Sequence, residues 1–425
     1  MLTTRPRGTN DILPGDVEHW RYLESVVHNL CSMYNYHEIR TPIFEHTELF
    51  ARGVGNTTDI VEKEMYSFQD RGERNITLRP EGTAPTVRAF LENKIYSGPQ
   101  PTKFYYMGPM FRYGRPQAGR FRQFHQFGVE VLGSQDPSLD AEVIALAMDY
   151  YKRLELKGLE LHINSVGCPE CRSVHKEKLK EFLQPNIDLL CSTCRQRYEK
   201  NPLRIFDCKS EDCQKLIDKA PTITDCLCED CSEHFFKLQS YLKALNIDFI
   251  LDSRLVRGLD YYTKTAFEVM VQGIGAQSSI GGGGRYDHLV EICGGSPTPG
   301  IGFAVGLERI LLTMEQQGLL NHSVKKKGTF IATTASGQEI VAVKLLHQLR
   351  NLGISAEKDY LGRSLKAQLK YAYKLDYEFV LILGEEELTR GCVVLKTMET
   401  GQQKEIKLEN VSTYIVNVNG GNENA

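Results

Sequence analysis

The run FYYMGPMFRYGRPQAGRFRQFHQFGVEVLG, residues 104–133, decides the fold. Two aromatic, apolar stretches flank a Gly/Pro loop, the pattern of an antiparallel hairpin. The two-residue period of a strand puts Arg120, Arg122, Phe124, Gln126, Gly128 and Glu130 on one face. A face that only meets solvent mixes its charges. This one lines up two cations, a ring, an amide and a carboxylate, groups suited to phosphates, a base and a small zwitterion. Arg112 and Arg115 add further cations at the loop.

Three other regions concentrate the same chemistry. TLRPEGTAPTVRAF (77–90) sets Glu81 and Thr83 on either side of Gly82, offering a carboxylate and a hydroxyl to an ammonium group. The competing reading there is a solvated turn that caps a helix. SRLVRGLDYYTKTAFEVMV (253–271) places Arg257 beside a glycine, ahead of Tyr261, Tyr262 and an alternating strand. In SSIGGGGRYDHLV (278–290) four consecutive glycines let a backbone approach a ligand closely. Their spacing is neither a Walker loop nor a dinucleotide fingerprint. PGIGFAVGLERILL (299–312) runs from a glycine-rich strand through Glu308 and Arg309 into an apolar helix.

Further out, helical spacing is expected over 16–35, 139–157, 172–183 and 303–317, and strands over 246–251, 262–272 and 276–281. The polar stretch NHSVKKKG, 321–328, marks a boundary. Beyond it, strands alternate with helices at 338–351 and 364–375, which predicts a compact α/β domain. The tail NGGNENA reads as disordered. With 425 residues, 41% hydrophobic and 25% charged, the chain is of ordinary globular composition. A net charge of −3 shows no bulk attraction to nucleic acid, so any such partner must be argued from local sites. No run approaches the ~18–20 apolar residues of a spanning helix. The N-terminus MLTTRPRGTNDILPGD lacks a signal peptide's apolar core, so a cytoplasmic location is expected. The 12 cysteines should then be reduced. Three C-x-x-C pairs, at 168/171, 191/194 and 228/231, have zinc-ribbon spacing, while Cys208, Cys213 and Cys226 leave the ligand set open.

Taken together, these regions resemble the signature motifs of class II aminoacyl-tRNA synthetases. LVRGLDYYTKTAFEV and SSIGGGGRYD are similar to motifs particular to the histidyl-tRNA synthetase family. IRTPIFEHTELF looks like the first class motif, the strand-loop-strand from Tyr105 to Leu132 the second, and GIGFAVGLERI the third. The resemblance implies an α+β catalytic domain with the class II antiparallel sheet of six or seven strands over residues 1–325. It further implies an inserted cysteine-rich module at about 168–240 and a C-terminal α/β anticodon-binding domain over 326–425. The implied partners are L-histidine, ATP with Mg²⁺, tRNA(His) and a second copy of the chain, with no membrane and no tightly bound organic cofactor.

By the same resemblance, Arg112 and Arg257 are catalytic, clamping the α-phosphate from opposite sides. Glu81, Gly82, Thr83, Gln126, Glu130, Tyr261 and Tyr262 bind histidine, and Arg112, Arg120, Phe124 and Arg309 bind ATP. The family's insertion does not require zinc, so inert thiols and no resident metal are expected, with a structural zinc the less favoured reading. One position departs from the pattern: Gly114 stands where many relatives carry an acidic residue, which leaves that loop's tRNA contacts open. The main alternative is a non-catalytic, synthetase-like regulatory subunit of histidine biosynthesis. The intact RGLDYY and the complete C-terminal pattern speak against it. A zinc-ribbon nucleic-acid-binding protein would leave the arginine-rich segments unexplained.

Overall fold

The computed structural model describes residues 3–54, 58, 60–200, 202–208, 210–271, 279–320, 327–334 and 337–420. The chain forms two compact units, Met1–His322 and Ser323–Ala425.

The first unit is built on an eight-stranded sheet. Its order is His37–Glu38, Thr102–Phe111, Gln123–Leu132, Gly300–Gly306, Ser279–Arg285, Thr263–Val271, Leu159–Ser165 and Ile250–Leu251. The six central strands are antiparallel, and the two-residue strand at each edge pairs parallel. The sheet is therefore wider than the expected six or seven strands, and the difference lies in those short edges. One face is solid. Helices Asp16–Met33, Pro137–Arg153, Glu229–Ala244 and Leu307–Gln316 bury Leu23, Val27, Ile144, Leu238 and Ile310 against Phe127, Val129, Phe267 and Phe303. The i, i+4, i+7 spacing of Leu23, Val27 and Leu30 gives the first helix its buried stripe. Asp136 starts the second by accepting from the Ser138 amide, with Pro137 in its first turn. The opposite face is only partly covered, by helix Thr83–Glu92 and the turn Leu289–Ile292 packing Val87, Phe90 and Leu289 on Tyr286.

Several boundaries differ from the sequence reading. The strand begins at Gln123, so the alternation that links Phe124, Gln126 and Glu130 does not reach Arg120 or Arg122. Phe303–Gly306 belong to a strand, and the helix starts only at Leu307, because the small glycines let the chain pack as sheet until Gly306. The cysteine-rich stretch is more helical than expected, with Pro169–Leu183, Ser192–Lys200, Glu211–Ile217 and Glu229–Ala244. The 321–326 boundary, the start of the 276–281 strand and tail residues 421–425 lie outside the described residues, while Asn419 and Gly420, also expected to be disordered, end helix Val411–Gly420.

The second unit is a five-stranded sheet in the order Ala356–Lys358, Lys327–Thr333, Tyr377–Leu383, Cys392–Thr397, Gln403–Lys407. The first three strands are parallel and the last two antiparallel. Helix Glu339–Asn351 packs Leu345 and Leu349 on one face, and helix Leu365–Lys374 packs Ala372 against Phe330 and Val380 on the other. Among the described residues, no helix is long and apolar enough to cross a membrane.

A fully buried ion pair pins the first unit together. Arg285 Nε donates to both oxygens of Asp140, at 2.8 and 3.0 Å. The same carboxylate accepts from His234 at 2.8 Å and from Thr265 at 2.5 Å. Both members of the ion pair are 0% exposed. Asp140→Ala takes from a buried guanidinium its fully buried counter-charge, leaving it, among the described residues, only Asp287 at 3.2 Å as an ion-pair partner, and the expected cost is ~3–5 kcal/mol. The readout is urea unfolding followed by the fluorescence of Trp20, the chain's one tryptophan, which lies in this unit. Arg40→Ala, at the exposed Arg40–Glu38 pair, should leave the midpoint in place.

Candidate active site

Two cavities open on the partly covered face of the sheet. The smaller, about 320 Å³, has Glu81, Thr83, Tyr106, Gln126, Glu130 and Tyr262 in its walls. The larger, about 620 Å³, is lined by Phe124, Glu268, Glu308 and Arg309 among others. Arg112, Arg120 and Arg257 belong to both walls and mark where the two meet.

In the smaller cavity the polar groups are already organised. Glu81 sits in the turn before helix Thr83–Glu92, and its carboxylate accepts from the amides of Thr83 and Ala84 at 2.7 and 2.9 Å. It does cap the helix, yet it is only 4% exposed, so the solvated-turn reading fails on burial. Burial raises its pKa, and the two amides oppose that rise. Glu130 is 1% exposed. Its Oε1 accepts from Thr83 at 2.7 Å and from Tyr106 at 3.3 Å, and its Oε2 accepts from Tyr286. Burial pushes its pKa up to about 8, helped by the nearby charge of Glu81. Gln126 Oε1 is buried with no hydrogen-bond partner, an acceptor waiting for a donor. Tyr261 and Tyr262 tilt against one another with ring centres 4.8 Å apart, and Tyr261 meets Tyr286 edge-on.

Missing side chains create this space. A Cβ on Gly82 or Gly128 would stand 2.2 and 2.4 Å from the Tyr106 ring, so glycine on both sides lets that tyrosine reach Glu130. Gly82 thus makes room for Tyr106, which is itself in the cavity wall, and nothing in the Gly82 backbone angle demands glycine.

The larger cavity is rich in guanidinium groups. Arg112 Nε donates to the Pro80 carbonyl at 2.8 Å, and its guanidinium lies 5.3 Å from the Phe124 ring. Arg120 pairs with Glu64 at 3.3 Å, and Arg309 donates to the Ser279 carbonyl. Burial lowers the pKa of Arg112 and of Arg309, so both cations sit where a polyanion would relieve them. Arg257 projects from the turn before strand Thr263–Val271 and pairs with Glu268 at 3.0 Å, while its Nε is buried without a partner. Glu308 accepts from the backbone amide of His125 at 2.8 Å and from its ring at 3.0 Å, locking the helix that carries Arg309 to the central strand.

Of the residues expected from the sequence to bind histidine or ATP, all but Gly82 line one of the cavities or both. Arg122 does not: its guanidinium stacks on Tyr113 at 3.8 Å, outside the strand's alternation. The sequence reading missed Tyr106, Tyr286, Glu268 and Glu64. Tyr106 and Glu268 could have been found by extending the two-residue period from Glu130 to the neighbouring strands, since Phe104 faces Glu130 and Gly282 faces Glu268 in register. Glu64 carried no pattern, yet its Oε1 is 3.4 Å from where a Cβ on Gly114 would stand. It brings a carboxylate to the place where that loop lacks one.

An antiparallel sheet that carries a small polar cavity and a larger arginine-lined one, joined at shared arginines, is the arrangement of a class II aminoacyl-tRNA synthetase. Comparison with known proteins narrows the class. A family model described as histidyl-tRNA synthetase matches residues 8–181 and 203–310, and one described as anticodon binding domain matches 328–418. The histidine–tRNA ligase of Desulforamulus reducens is 64% identical over 415 residues, covering 98% of this chain and 99% of that protein. That of Moorella thermoacetica is 61% identical over 414 residues, covering 97% and 98%. The crystal structure of apo histidyl-tRNA synthetase from S. aureus superposes with a TM-score of 0.83 at 43% identity, covering 97% of this chain and 100% of that one. The chain belongs to the histidyl-tRNA synthetase family.

Glu130 gives this site a pH signature. Because its folded pKa lies near 8, above the ordinary ~4.3 of an unfolded glutamate, its burial costs nothing at low pH. The cost grows as pH rises from about 5 to 8 and is complete above that, by at most ~1.4 kcal/mol per pH unit. Stability relative to Glu130→Gln should therefore fall across that window, measured by urea unfolding at a series of pH values. A flat difference would mean a carboxylate that stays ionised throughout.

Proposed function

We propose that the chain joins histidine to tRNA in two steps at these cavities. In the first, a carboxylate oxygen of histidine attacks the α-phosphorus of ATP and pyrophosphate departs, leaving histidyl-adenylate. In the second, a terminal ribose hydroxyl of tRNA attacks the acyl carbon and AMP departs. The substrate's own carboxylate is the nucleophile, so the protein's part is positioning and charge stabilisation. The observation that carries this reading is the shared wall: Arg112 and Arg257 stand between a cavity shaped for an amino acid and one shaped for a nucleotide.

In this reading Glu81, Thr83 and the open Gln126 Oε1 receive the α-ammonium group. Glu130 and Tyr262 meet the two imidazole nitrogens, with Tyr261 beside them, and Tyr106 and Tyr286 hold Glu130 in place. A side chain lacking those nitrogens would leave these buried groups unpaired, which is how a polar site rejects near-analogues. Phe124 stacks on adenine, and Arg120 and Arg309 take the outer phosphates. Glu268 and Glu308 are the carboxylates that line the nucleotide cavity, oxygen donors of the kind a Mg²⁺ arriving with ATP accepts. When bound, that ion offsets phosphate charge. Identity above 60% to full-length ligases favours the enzyme over a regulatory subunit.

We assign tRNA(His) recognition to the C-terminal unit. Its residues 328–425 hold 11 Lys and Arg against 12 Asp and Glu, so recognition there rests on local geometry and not on net charge. A homodimer fits the exposed apolar Ile43, Phe44 and Phe68 on and beside the small sheet of Phe44–His46, Asn75–Leu78 and Tyr66–Gln69. The cytoplasm is where such an enzyme meets its substrates.

ATP–pyrophosphate exchange assayed with each amino acid in turn should respond to histidine alone. Exchange driven equally by another amino acid, or absent from folded protein, sinks the assignment. Arg257→Lys should fold normally yet lose ~10²-fold or more in adenylate formation, because lysine lacks the planar, two-pronged donor set. Transfer from preformed histidyl-adenylate should suffer much less. Single-turnover measurement of both half-reactions decides it, and a near-wild-type activation rate would remove Arg257 from the catalytic residues.

A further inference from the structure

Nine cysteines lie between residues 168 and 231, and eight of them assemble into two separate tetrads. Cys168, Cys171, Cys228 and Cys231 form one; Cys191, Cys194, Cys208 and Cys213 form the other. Within each, all four sulfurs lie within 4.8 Å of one another. The measured separations are 3.4 Å for Cys168–Cys171, 3.9 Å for Cys168–Cys228 and 3.8 Å for Cys191–Cys208. Disulfides are excluded at these lengths, since S–S bonds are ~2.05 Å. Four sulfurs held ~2.3 Å from a zinc ion at tetrahedral angles stand ~3.8 Å apart. An iron–sulfur cube would place its own atoms between the cysteines and spread them further than this.

The sulfurs also have backbone donors. Amides point at the sulfurs: Cys228 to Cys171 at 3.1 Å, Cys191 to Cys213 at 3.3 Å, Cys194 to Cys191 and Ser210 to Cys208 at 3.4 Å. Such donors orient ligands and steady their negative charge. In the first tetrad, Cys168 and Cys228 each occupy the cap position of a helix, Pro169–Leu183 and Glu229–Ala244, where the N-terminal dipole adds to the effect.

We propose that each tetrad binds one Zn²⁺ as a closed, structural tetrathiolate site. This reverses the expectation of inert thiols. That expectation rested on the resemblance, whose insertion does not require zinc, and on a ligand set left open by nine cysteines; the fold resolves the second point by leaving Cys226 outside both tetrads. The two sites have different places in the fold. The first joins the outgoing and returning chain where the inserted module meets the large sheet, because Cys168 follows strand Leu159–Ser165 closely and Cys228 opens the helix that packs on its solid face. The second holds the body of the module, whose apolar cluster around Leu183, Leu190 and Ile205 is small enough to need a cross-link. Its ligands bracket the turn Pro202–Asp207, which presents Arg204 to the smaller substrate cavity, and Arg197 fixes the Arg204 carbonyl at 2.7 Å. Cys191 and Cys194 lie in the stretch 182–202, between the two segments matched by the family model.

The test is the metal content of the full chain, purified under reducing conditions without chelator and measured by plasma mass spectrometry. Two zinc ions per chain are expected, with Cys226→Ser retaining both. Cys194→Ser and Cys231→Ser should each retain one. Should either variant fail to fold, stepwise mercurial titration of the wild-type protein, with released metal followed by a chromogenic chelator, should yield two zinc ions per eight thiols. One zinc per chain overturns the assignment of the tetrad whose variant leaves it in place. Iron instead of zinc, or no metal with the eight thiols freely reactive in folded protein, overturns the proposal outright. None of these readouts depends on amino-acid activation, so failure here and failure of the enzymatic reading are separable.

Discussion

A carboxylate with no access to water holds the large unit in register. Asp140 gathers Arg285 from the glycine strand, Thr265 from its neighbour and His234 from the helix that returns from the inserted module. Separating buried charges is far costlier than forming them is favourable, so this junction tolerates one arrangement only. The glycine strand is thereby fixed, and its bareness becomes useful. A Cβ on Gly282 would stand 2.6 Å from the Phe267 carbonyl and 2.9 Å from Arg257 Nη1, so the guanidinium can lie directly over the sheet. The placement of Arg257 therefore depends on a strand that is anchored elsewhere, by the pairing of Arg285 with Asp140.

The site is built from groups that the fold leaves partly unanswered. Gln126 Oε1 and Arg257 Nε are buried without partners, burial lowers the pKa of Arg112 and Arg309, and burial raises that of Glu130 and Glu81. Each is an unfavourable condition that a ligand of complementary charge or hydrogen bonding would relieve. Binding energy is then spent where charge must be met, and the donors need little rearrangement when it arrives.

Much of this was legible in the chain. Strand alternation placed Phe124, Gln126 and Glu130 on one face because the pleat enforces it. It failed at Arg122, since a period holds only while the strand lasts and the loop before Gln123 has none. Tyr106 and Glu268 escaped because the period was not carried over to the other strands, and Tyr286 because it lies just past the end of its strand, where no period applies. The cysteines escaped for a related reason. Spacing along the chain identified three pairs, while the fourth partnership, Cys208 with Cys213, is wider than C-x-x-C and becomes visible only when the turn Pro202–Asp207 brings it to Cys191.

The one-sided packing of the large sheet sorts mutations by arithmetic. In strands Gln123–Leu132, Thr263–Val271 and Gly300–Gly306 the side chains of Phe127, Val129, Phe267, Val269, Ile301 and Phe303 enter the solid core. The site instead takes Gln126, Glu130, Glu268, Gly302 and Ala304. Odd numbers mostly bear the weight of the fold and even numbers mostly face the chemistry; Phe303 also touches the smaller cavity, and Leu132 and Ala266 pack in the smaller core cluster. In a cell that relies on this gene, lesions at odd positions would surface as heat-sensitive growth, and those at even positions as arrest at every temperature. The parity of a residue number would then forecast the kind of phenotype.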